Sequence, residues 1–146
     1  ELLHYKNAEH IPIDKFWSVK SDILIPASVT DVINQSNKDS VTAKIIVEAG
    51  NIPMREDIEK EFFKKGVLVV PDFVANAGGV ISSYAEYRGY NPKKLFGLVE
   101  GKIIKATELV LKQSLKQKIE PRQVALNLAQ EKVKRKMKKR LTDKIN

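Results

Sequence analysis

The chain contains the stretch Val67-Leu68-Val69-Val70-Pro71-Asp72-Phe73-Val74-Ala75-Asn76-Ala77-Gly78-Gly79-Val80-Ile81-Ser82-Ser83-Tyr84, and this stretch decides the predicted fold. Its first four residues are apolar without polar alternation, which predicts a strand buried on both faces. An Asn and two glycines then stand where the strand gives way to a helix. In parallel α/β sheets the ligand crevice lies outside the carboxyl ends of the strands. The stretch therefore predicts a ligand site around Asn76, Gly78 and Gly79.

Apolar runs and helix-like segments alternate along the rest of the chain. Strand, helix, strand, helix, strand is the order of an open parallel sheet. The predicted fold class is therefore α/β: part of a doubly wound, Rossmann-like parallel sheet followed by C-terminal helices. The other elements are predicted as strands over residues 23–26 and 44–48, and as helices over residues 29–37, 55–65, 80–88, 93–118 and from Pro121 onward.

Small and polar residues follow each predicted strand. Ala27 and Asn51 fall at strand carboxyl ends beside the same crevice as Asn76. From the residues alone, Asn76 fits a helix cap as well as a ligand site, and Asn51 is most simply a turn residue. Glu48 is either a buried partner for a backbone N–H or a solvated loop residue. Ser83 lies two helical turns after Asn76 and so on a similar face.

Three motifs carry a resemblance to a known family. They are Asp22-Ile23-Leu24-Ile25-Pro26-Ala27, Ile46-Val47-Glu48-Ala49-Gly50-Asn51-Ile52-Pro53, and Asn76-Ala77-Gly78-Gly79-Val80 with Ser83 beyond it. In this order they resemble the Asp-Ile-Leu-Ile-Pro-Ala strand end, the Glu-Gly-Ala-Asn-x-Pro loop and the Asn-Ala-Gly-Gly-Val segment of the glutamate/leucine/phenylalanine/valine dehydrogenases. The resemblance covers roughly residues 11–90.

The resemblance implies roles for four residues. Asn76 would lie between the nicotinamide and the amino acid, holding the substrate's α-hydrogen toward the ring carbon that accepts hydride. Ala27 would permit close approach of the cofactor, and Asn51 would hydrogen-bond near the nicotinamide ribose. Ser83 would contact the side-chain carboxylate of the substrate, because glutamate-specific members have a Ser there and leucine-type members tend to have an apolar residue.

The implied reaction is reversible oxidative deamination of glutamate to 2-oxoglutarate and ammonia with NAD or NADP, by a homo-oligomeric parent. In the family, a Lys and an Asp of an N-terminal substrate domain transfer the protons. Neither position falls in these 146 residues, so no catalytic residue is expected in the chain. Two stretches depart from the family: Met54-Arg55-Glu56-Asp57 replaces a Thr-rich helix start, and Ala85 and Tyr87 stand where aromatic residues (Phe, Trp) are usual.

The sequence predicts an incomplete cofactor domain. A complete dinucleotide-binding domain opens with a Gly-x-Gly-x-x-Gly turn, and the sequence contains none. We expect residues 1–92 to form the second half of the NAD(P)-binding domain and residues 93–146 to be helices that pack on or close it. Since an initiator Met is also missing, we expect a piece excised from a longer protein, inactive by itself.

Composition narrows the class of protein further. The apolar fraction of 42% suits a soluble globular chain, and no apolar run approaches the ~18 residues that span a membrane. Cysteine is absent, which excludes disulfides and Cys-ligated metals and, with no secretory signal, favours a cytoplasmic protein. His4 and His10 are too few and too separated to suggest a metal centre.

The positive charge is concentrated in the C-terminal part. Residues 1–90 have a net charge of −3 and residues 91–146 a net charge of +11. The alternative function is therefore a basic helical module that binds nucleic acid or a protein partner through residues 132–140. We expect a solvated helix face instead, and no nucleic-acid or membrane partner, because no aromatic residues are interleaved to stack on bases. Apolar residues also recur at helical spacing along the last predicted helix, which contains this run: Leu126, Ala129, Val133 and Met137.

Overall fold

The computed structural model describes residues 9–142, and a three-stranded parallel sheet lies at its centre. The strands, in their order across the sheet, are β1 (Ile23–Leu24), β2 (Ile45–Val47) and β3 (Leu68–Val70). Ile23 lies opposite Ile45, and Ile46 lies opposite Val69. Most strand residues are β-branched, as suits a pleated surface packed on its faces. The predicted α/β class with a parallel, Rossmann-like sheet is confirmed.

The helices begin and end where local sequence signals place them. Gly66 follows the first helix with φ +82°, a conformation that glycine adopts without strain. Asn91 caps the fourth helix, its Oδ1 accepting from Lys94 N at 2.9 Å. The helices predicted over residues 55–65, 80–88, 93–118 and from Pro121 are thus confirmed. The α-helices described are α1 (Glu56–Lys64), α2 (Asp72–Ala75), α3 (Gly78–Tyr87), α4 (Pro92–Gln117) and α5 (Pro121–Thr142), and short 3₁₀ turns cover Ile13–Ser18 and Lys38–Ser40.

The helix predicted over residues 29–37 is wrong, because the chain forms a series of turns there. Asp31 has φ 58°, and its N–H donates to Ile52 O at 3.0 Å. Ile33 N–H donates to Pro53 O at 2.9 Å. Backbone groups that a helix would need internally are therefore bonded to the loop after β2. β-Branched residues and asparagines also make this segment a poor helix former.

Buried apolar side chains form two clusters on opposite faces of the sheet. Val69 belongs to the first cluster and Val70 to the second, and successive residues of a strand point to opposite faces. The first cluster packs the sheet against α1, and the second packs it against α4 and α5. The first contains Ile33, Ala43, Ile46, Met54, Ile58, Phe62 and Val69, and the second contains Val70, Val74, Val110, Val124 and Ala125.

Two apolar segments are more exposed than their composition suggests. Ile23 in the outer strand β1 is 54% exposed, so this strand is not buried on both faces within the described residues. The apolar residues that recur at helical spacing on the last helix are also exposed, with Val133 57% and Met137 60% exposed. The cause is that α5 buries Val124 and Ala125 near its start, where it packs on β3 and α4. No helix among residues 9–142 combines the length and apolar character needed to cross a bilayer.

Candidate functional site

The loops that follow the three strands meet at one edge of the sheet. Gly50 N–H donates to Pro26 O at 2.8 Å, which joins the loop after β2 to the loop after β1. A Cβ on Gly50 would lie 2.8 Å from Ser28 O, so glycine alone permits this approach. Ala27 lies exposed in the same loop as Pro26. The loops therefore meet at the carboxyl edge of the sheet, where the sequence predicts a ligand crevice.

The side-chain amide of Asn76 joins the turn between α2 and α3 to the loop after β2. Its Nδ2 donates to Asn51 Oδ1 at 2.6 Å and to Gly50 O at 3.3 Å. Asn76 ends α2, and its own N–H donates to Asp72 O at 2.7 Å. It does not cap α3, which begins at Gly78 after Ala77. The structure thus brings two predicted site residues, Asn51 and Asn76, into direct contact.

Ser83 lies on α3, outside this contact. Its side chain is exposed, and its Oγ donates to Gly79 O at 3.1 Å. Ser82 Oγ donates to the same carbonyl at 2.8 Å. The ligand roles of Ala27, Asn51, Asn76 and Ser83 stay predictions.

A nearly buried cluster of three carboxylates around Arg122 lies behind these loops. We call it the Arg122 cluster, and its acidic members are Glu48, Glu59 and Asp72. Arg122 Nε donates to Glu59 Oε1 at 2.7 Å, and its Nη2 donates to Glu48 Oε2 at 2.8 Å and to Asp72 Oδ1 at 3.0 Å. One guanidinium therefore connects α5 to α1, to the end of β2 and to the start of α2.

Hydrogen bonds link the Arg122 cluster to the crevice loops. Asp72 Oδ2 accepts from Ile52 N at 3.0 Å, next to Asn51 in sequence. Asp72 N–H donates to Glu48 Oε2 at 2.8 Å. The guanidinium of Arg122 also lies over the Phe73 ring, with its carbon 5.3 Å from the ring centroid. The segments after β2 and β3 are thus joined twice, by the Arg122 cluster and by the contact between Asn51 and Asn76.

The carboxylates of the Arg122 cluster differ in their affinity for protons. Burial, together with the charge of Glu59, raises the pKa of Glu48 to about 8. Burial also raises the pKa of Glu59, although Arg122 offsets part of the rise. Burial opposes ionisation of Asp72 too, but hydrogen bonds from Ile52 N and Phe73 N, with the charge of Arg122, hold its pKa below the usual value. Within the described residues, Glu48 Oε1 is buried without a hydrogen-bond partner.

The sequence leaves two alternatives for Glu48, buried or solvated. It does not identify Arg122 as a residue of this site. The buried alternative for Glu48 is correct, since the residue is 0% exposed and accepts from the Asp72 N–H. A signal for Arg122 was present in its position, as the second residue of α5. A cation at a helix N-terminus opposes the helix dipole, which indicates that an acidic partner lies elsewhere in the fold.

Metal ligation finds no support among residues 9–142, where no group of three or more His, Asp or Glu side chains could hold an ion. His10 is exposed, and His4 lies outside the described residues. The Arg122 cluster is already occupied by its guanidinium. Its carboxylates therefore bind the guanidinium of Arg122.

Comparisons with known proteins agree on one family. A family model described as Glutamate/Leucine/Phenylalanine/Valine dehydrogenase matches residues 1–140. The NADP-specific glutamate dehydrogenase of Saccharolobus shibatae is 40% identical over 86 residues, which are 59% of this chain and 20% of that protein. The NAD-specific glutamate dehydrogenase of Clostridioides difficile is 36% identical over 86 residues, again 59% of this chain and 20% of that protein.

Among solved structures, L-tryptophan dehydrogenase from Nostoc punctiforme superposes with a TM-score of 0.79 at 26% sequence identity. The match covers 88% of this chain and 38% of that one. The chain spans about a fifth of the length of the curated relatives that it matches.

Proposed function

Because this chain belongs to the glutamate/leucine/phenylalanine/valine dehydrogenase family, we propose that it supplies the nicotinamide end of an NAD(P)-dependent amino-acid dehydrogenase. The observation that carries the proposal is the contact between Asn76 Nδ2 and Asn51 Oδ1 at the carboxyl edge of the sheet. Two family motifs far apart in sequence converge there. The proposed reaction is reversible oxidative deamination of L-glutamate to 2-oxoglutarate and ammonia.

The residues at the crevice fit a nicotinamide group. Ala27 is small and exposed, so it allows a flat ring or a ribose to come close. Asn51 is exposed and offers amide groups that pair with ribose hydroxyls. When bound, the nicotinamide accepts a hydride from the substrate. The relatives named NADP-specific and NAD-specific support both cofactors as candidates.

Asn76 acts by positioning rather than by proton transfer. Its Nδ2 is engaged by Gly50 O and Asn51 Oδ1, so we assign its Oδ1 to ligand contact. A side chain held by two hydrogen bonds places a bound substrate in one orientation, which lowers the entropic part of the barrier. Proton transfer is assigned to residues outside this chain.

Ser83 is assigned to the carboxylate of the glutamate side chain. A hydroxyl that donates to a carboxylate is worth roughly 1.5–3 kcal/mol. The Ser83 Oγ proton is bonded to Gly79 O, so binding requires the hydroxyl to rotate toward the ligand. The names of the curated relatives favour glutamate over the tryptophan of the structural relative.

The two parts of the chain have separate tasks in this proposal. Residues 1–92 form the second half of the cofactor-binding domain, and residues 93–146 close it. The packing of Val110, Val124 and Ala125 against Val70 supports this division. The parent is proposed to be a cytoplasmic homo-oligomer.

The test is an activity assay of the full-length protein that contains these residues. We expect it to reduce NAD⁺ or NADP⁺ with L-glutamate, measured by the absorbance of the reduced nicotinamide. Asn76→Ala should lower kcat by about a hundredfold, because misplacement of reactants by about 1 Å costs that much. Asn127→Ala, at an exposed position on α5, is the matched control and should retain full activity.

The same assay is applied to the 146-residue chain alone. We expect no turnover, because the sequence has no Gly-x-Gly-x-x-Gly turn to bind the pyrophosphate. Turnover that follows the purified chain would contradict this expectation. A full-length protein inactive with glutamate and with apolar amino acids, on both cofactors, would overturn the proposed function.

A further inference from the structure

Arg122 has no part in the chemistry proposed above, yet it holds both loops that carry the crevice asparagines. We propose that Arg122 is a positioning residue, which fixes Asn51 and Asn76 for catalysis through the carboxylate of Asp72. The proposal rests on the proposed dehydrogenase function and adds a determinant of its site geometry.

Asp72 is the connection between Arg122 and the two asparagines. Its Oδ1 accepts from Arg122 at 3.0 Å, and its Oδ2 accepts from Ile52 N at 3.0 Å. Ile52 directly follows Asn51. The carbonyl oxygen of Asp72 accepts from Asn76 N at 2.7 Å. A rotation of Asp72 therefore disturbs the backbone beside both asparagines.

The backbone of Ile52 has a conformation that its own side chain disfavours, so contacts from elsewhere in the fold must impose it. Ile52 has φ 48°, in the left-handed region that a β-branched residue seldom adopts. Such a conformation persists only when surrounding contacts impose it. Its N–H is bonded to Asp72 Oδ2 and its carbonyl accepts from Asp31 N. Loss of the Asp72 bond would let Ile52 relax and carry Asn51 away from Asn76.

The geometry of the guanidinium explains why this position requires arginine. Arg122 reaches Glu48, Glu59 and Asp72 from one planar group with several N–H donors. A lysine ammonium carries a single point charge and lacks this fixed fork. Without the cation, Asp72 loses its bond to the guanidinium and is repelled by any neighbouring carboxylate that is ionised, so it turns away from the position that holds Ile52.

The first experiment measures kcat and KM of the full-length protein with Arg122→Gln and Arg122→Lys. For Arg122→Gln we expect kcat to fall about 10- to 100-fold, with KM for glutamate within about threefold of wild type. Arg122→Lys should recover part of the loss because it keeps the charge. Arg135→Gln, an exposed arginine on the same helix, should change neither constant. All assays are run below the unfolding temperature of each variant. If Arg122→Gln does not fold, the kcat of Arg122→Lys tests the positioning role by itself.

A purely structural role predicts a different result. It lowers the unfolding temperature but leaves kcat per folded active site at the wild-type value. That outcome would overturn the positioning proposal. So would an Arg122→Lys variant as fully active as wild type, because the fork would then be unnecessary.

The second experiment is independent of activity. In ¹⁵N NMR spectra of the 146-residue chain, the side-chain NH₂ of Asn76 reports its bonds to Asn51 and Gly50. We expect these signals to move toward free-amide positions in Arg122→Gln and to stay in place in Arg135→Gln. Unmoved signals in Arg122→Gln would refute the positioning link, whereas an inactive wild-type protein whose signals move would refute only the dehydrogenase function.

Discussion

The hydroxyl groups of Ser82 and Ser83 are both engaged by the backbone of their own helix, so Ser83 has to rotate its hydroxyl before it can bind a ligand. Both hydroxyls donate to the carbonyl of Gly79, at 2.8 and 3.1 Å. Ser83 is exposed, whereas Ser82 is half-buried. A carboxylate is a stronger acceptor than a neutral carbonyl, so in the proposed site a glutamate side chain would attract the Ser83 proton away from Gly79.

We expect Ser83→Val in the full-length protein to lower kcat/KM for glutamate by about 10- to 100-fold, equivalent to ~1.4–2.7 kcal/mol. The carboxylate loses one donor, whereas an apolar substrate side chain loses nothing. Activity on norvaline should therefore hold or rise. Steady-state kinetics on both substrates provide the measurement.

Ser82→Val is the matched control, because it removes a hydroxyl bonded to the same carbonyl. We expect it to leave the ratio of glutamate to norvaline activity unchanged. Equal losses on both substrates in Ser83→Val would show that Ser83 is an ordinary helix residue.

At the scale of single residues, the sequence predicts that Asn51 and Asn76 lie near each other, but it does not predict the Arg122 cluster that holds the segments on which they lie. Asn51 and Asn76 stand in short motifs after strands, and the rule that parallel strands end at one edge brings them together. Arg122 bonds to Glu48 across 74 positions of sequence. Nothing local to either residue encodes that pairing, because it depends on how α5 lies across β3.

At the level of elements, the Arg122 cluster ties the last helix to the sheet. α5 packs on β3 and α4 through Val124 and Ala125, and Arg122 adds charged bonds to α1 and to the start of α2. Buried ionic groups cost desolvation energy unless every charge is matched. Here one guanidinium faces three carboxylates, so the stability of this junction depends on how many are ionised.

We expect the stability of the chain to fall between about pH 5 and pH 8 through Glu48. Its pKa is about 8 in the folded chain and 4.5 without burial, so the folded state holds a proton that the unfolded state releases in this window. The contribution is complete below the lower value and lost as pH rises through the higher one. Glu59, whose pKa is also raised, acts in the same direction. The lowered pKa of Asp72 acts oppositely and below this window.

Urea unfolding of wild type and Glu48→Gln across this pH range measures the effect. The variant cannot ionise at this position, so its free energy of unfolding should vary less with pH. Glu100→Gln, an exposed glutamate on α4, should retain the wild-type pH dependence. The assignment is wrong if Glu48→Gln and wild type show the same slope.

Sequence patterns predicted most elements and failed where tertiary bonds replaced local ones. Helices α1, α3, α4 and α5 carry their own caps, glycines or prolines, so their bounds are local properties. The segment over residues 29–37 has a plausible apolar content, but its backbone bonds to the loop after β2. Likewise, the spacing of Val133 and Met137 predicts an apolar stripe without revealing whether anything covers it.

At the scale of the whole molecule, positive charge is concentrated in the C-terminal helices. Residues 91–146 have a net charge of +11, and the described part of the 132–140 run lies on α5. Positive potential of this size attracts polyanions regardless of their sequence. Base-specific recognition needs more than charge, and no aromatic residue lies between positions 132 and 140.

We expect the chain to bind DNA only in a salt-sensitive and sequence-independent way, with Kd ~10⁻⁴–10⁻⁶ M. Fluorescence titration at several salt concentrations measures it. Neutralising Lys134, Arg135 and Lys136 to Gln should weaken binding about as much as neutralising Lys102, Lys105 and Lys116 on α4. A sequence-selective complex that resists salt, and that only the α5 substitutions abolish, would establish the nucleic-acid alternative.

The position of Arg122 in the chain also sets an order of events during synthesis. Glu48, Glu59 and Asp72 are made first, and their shared cation follows 74, 63 and 50 residues later. Until it arrives, these acidic side chains lack the cation that joins them in the folded chain. Long-range contacts of this kind form late and slow the search for the native state. The junction between the sheet and the last helix can therefore form only after translation has reached that helix.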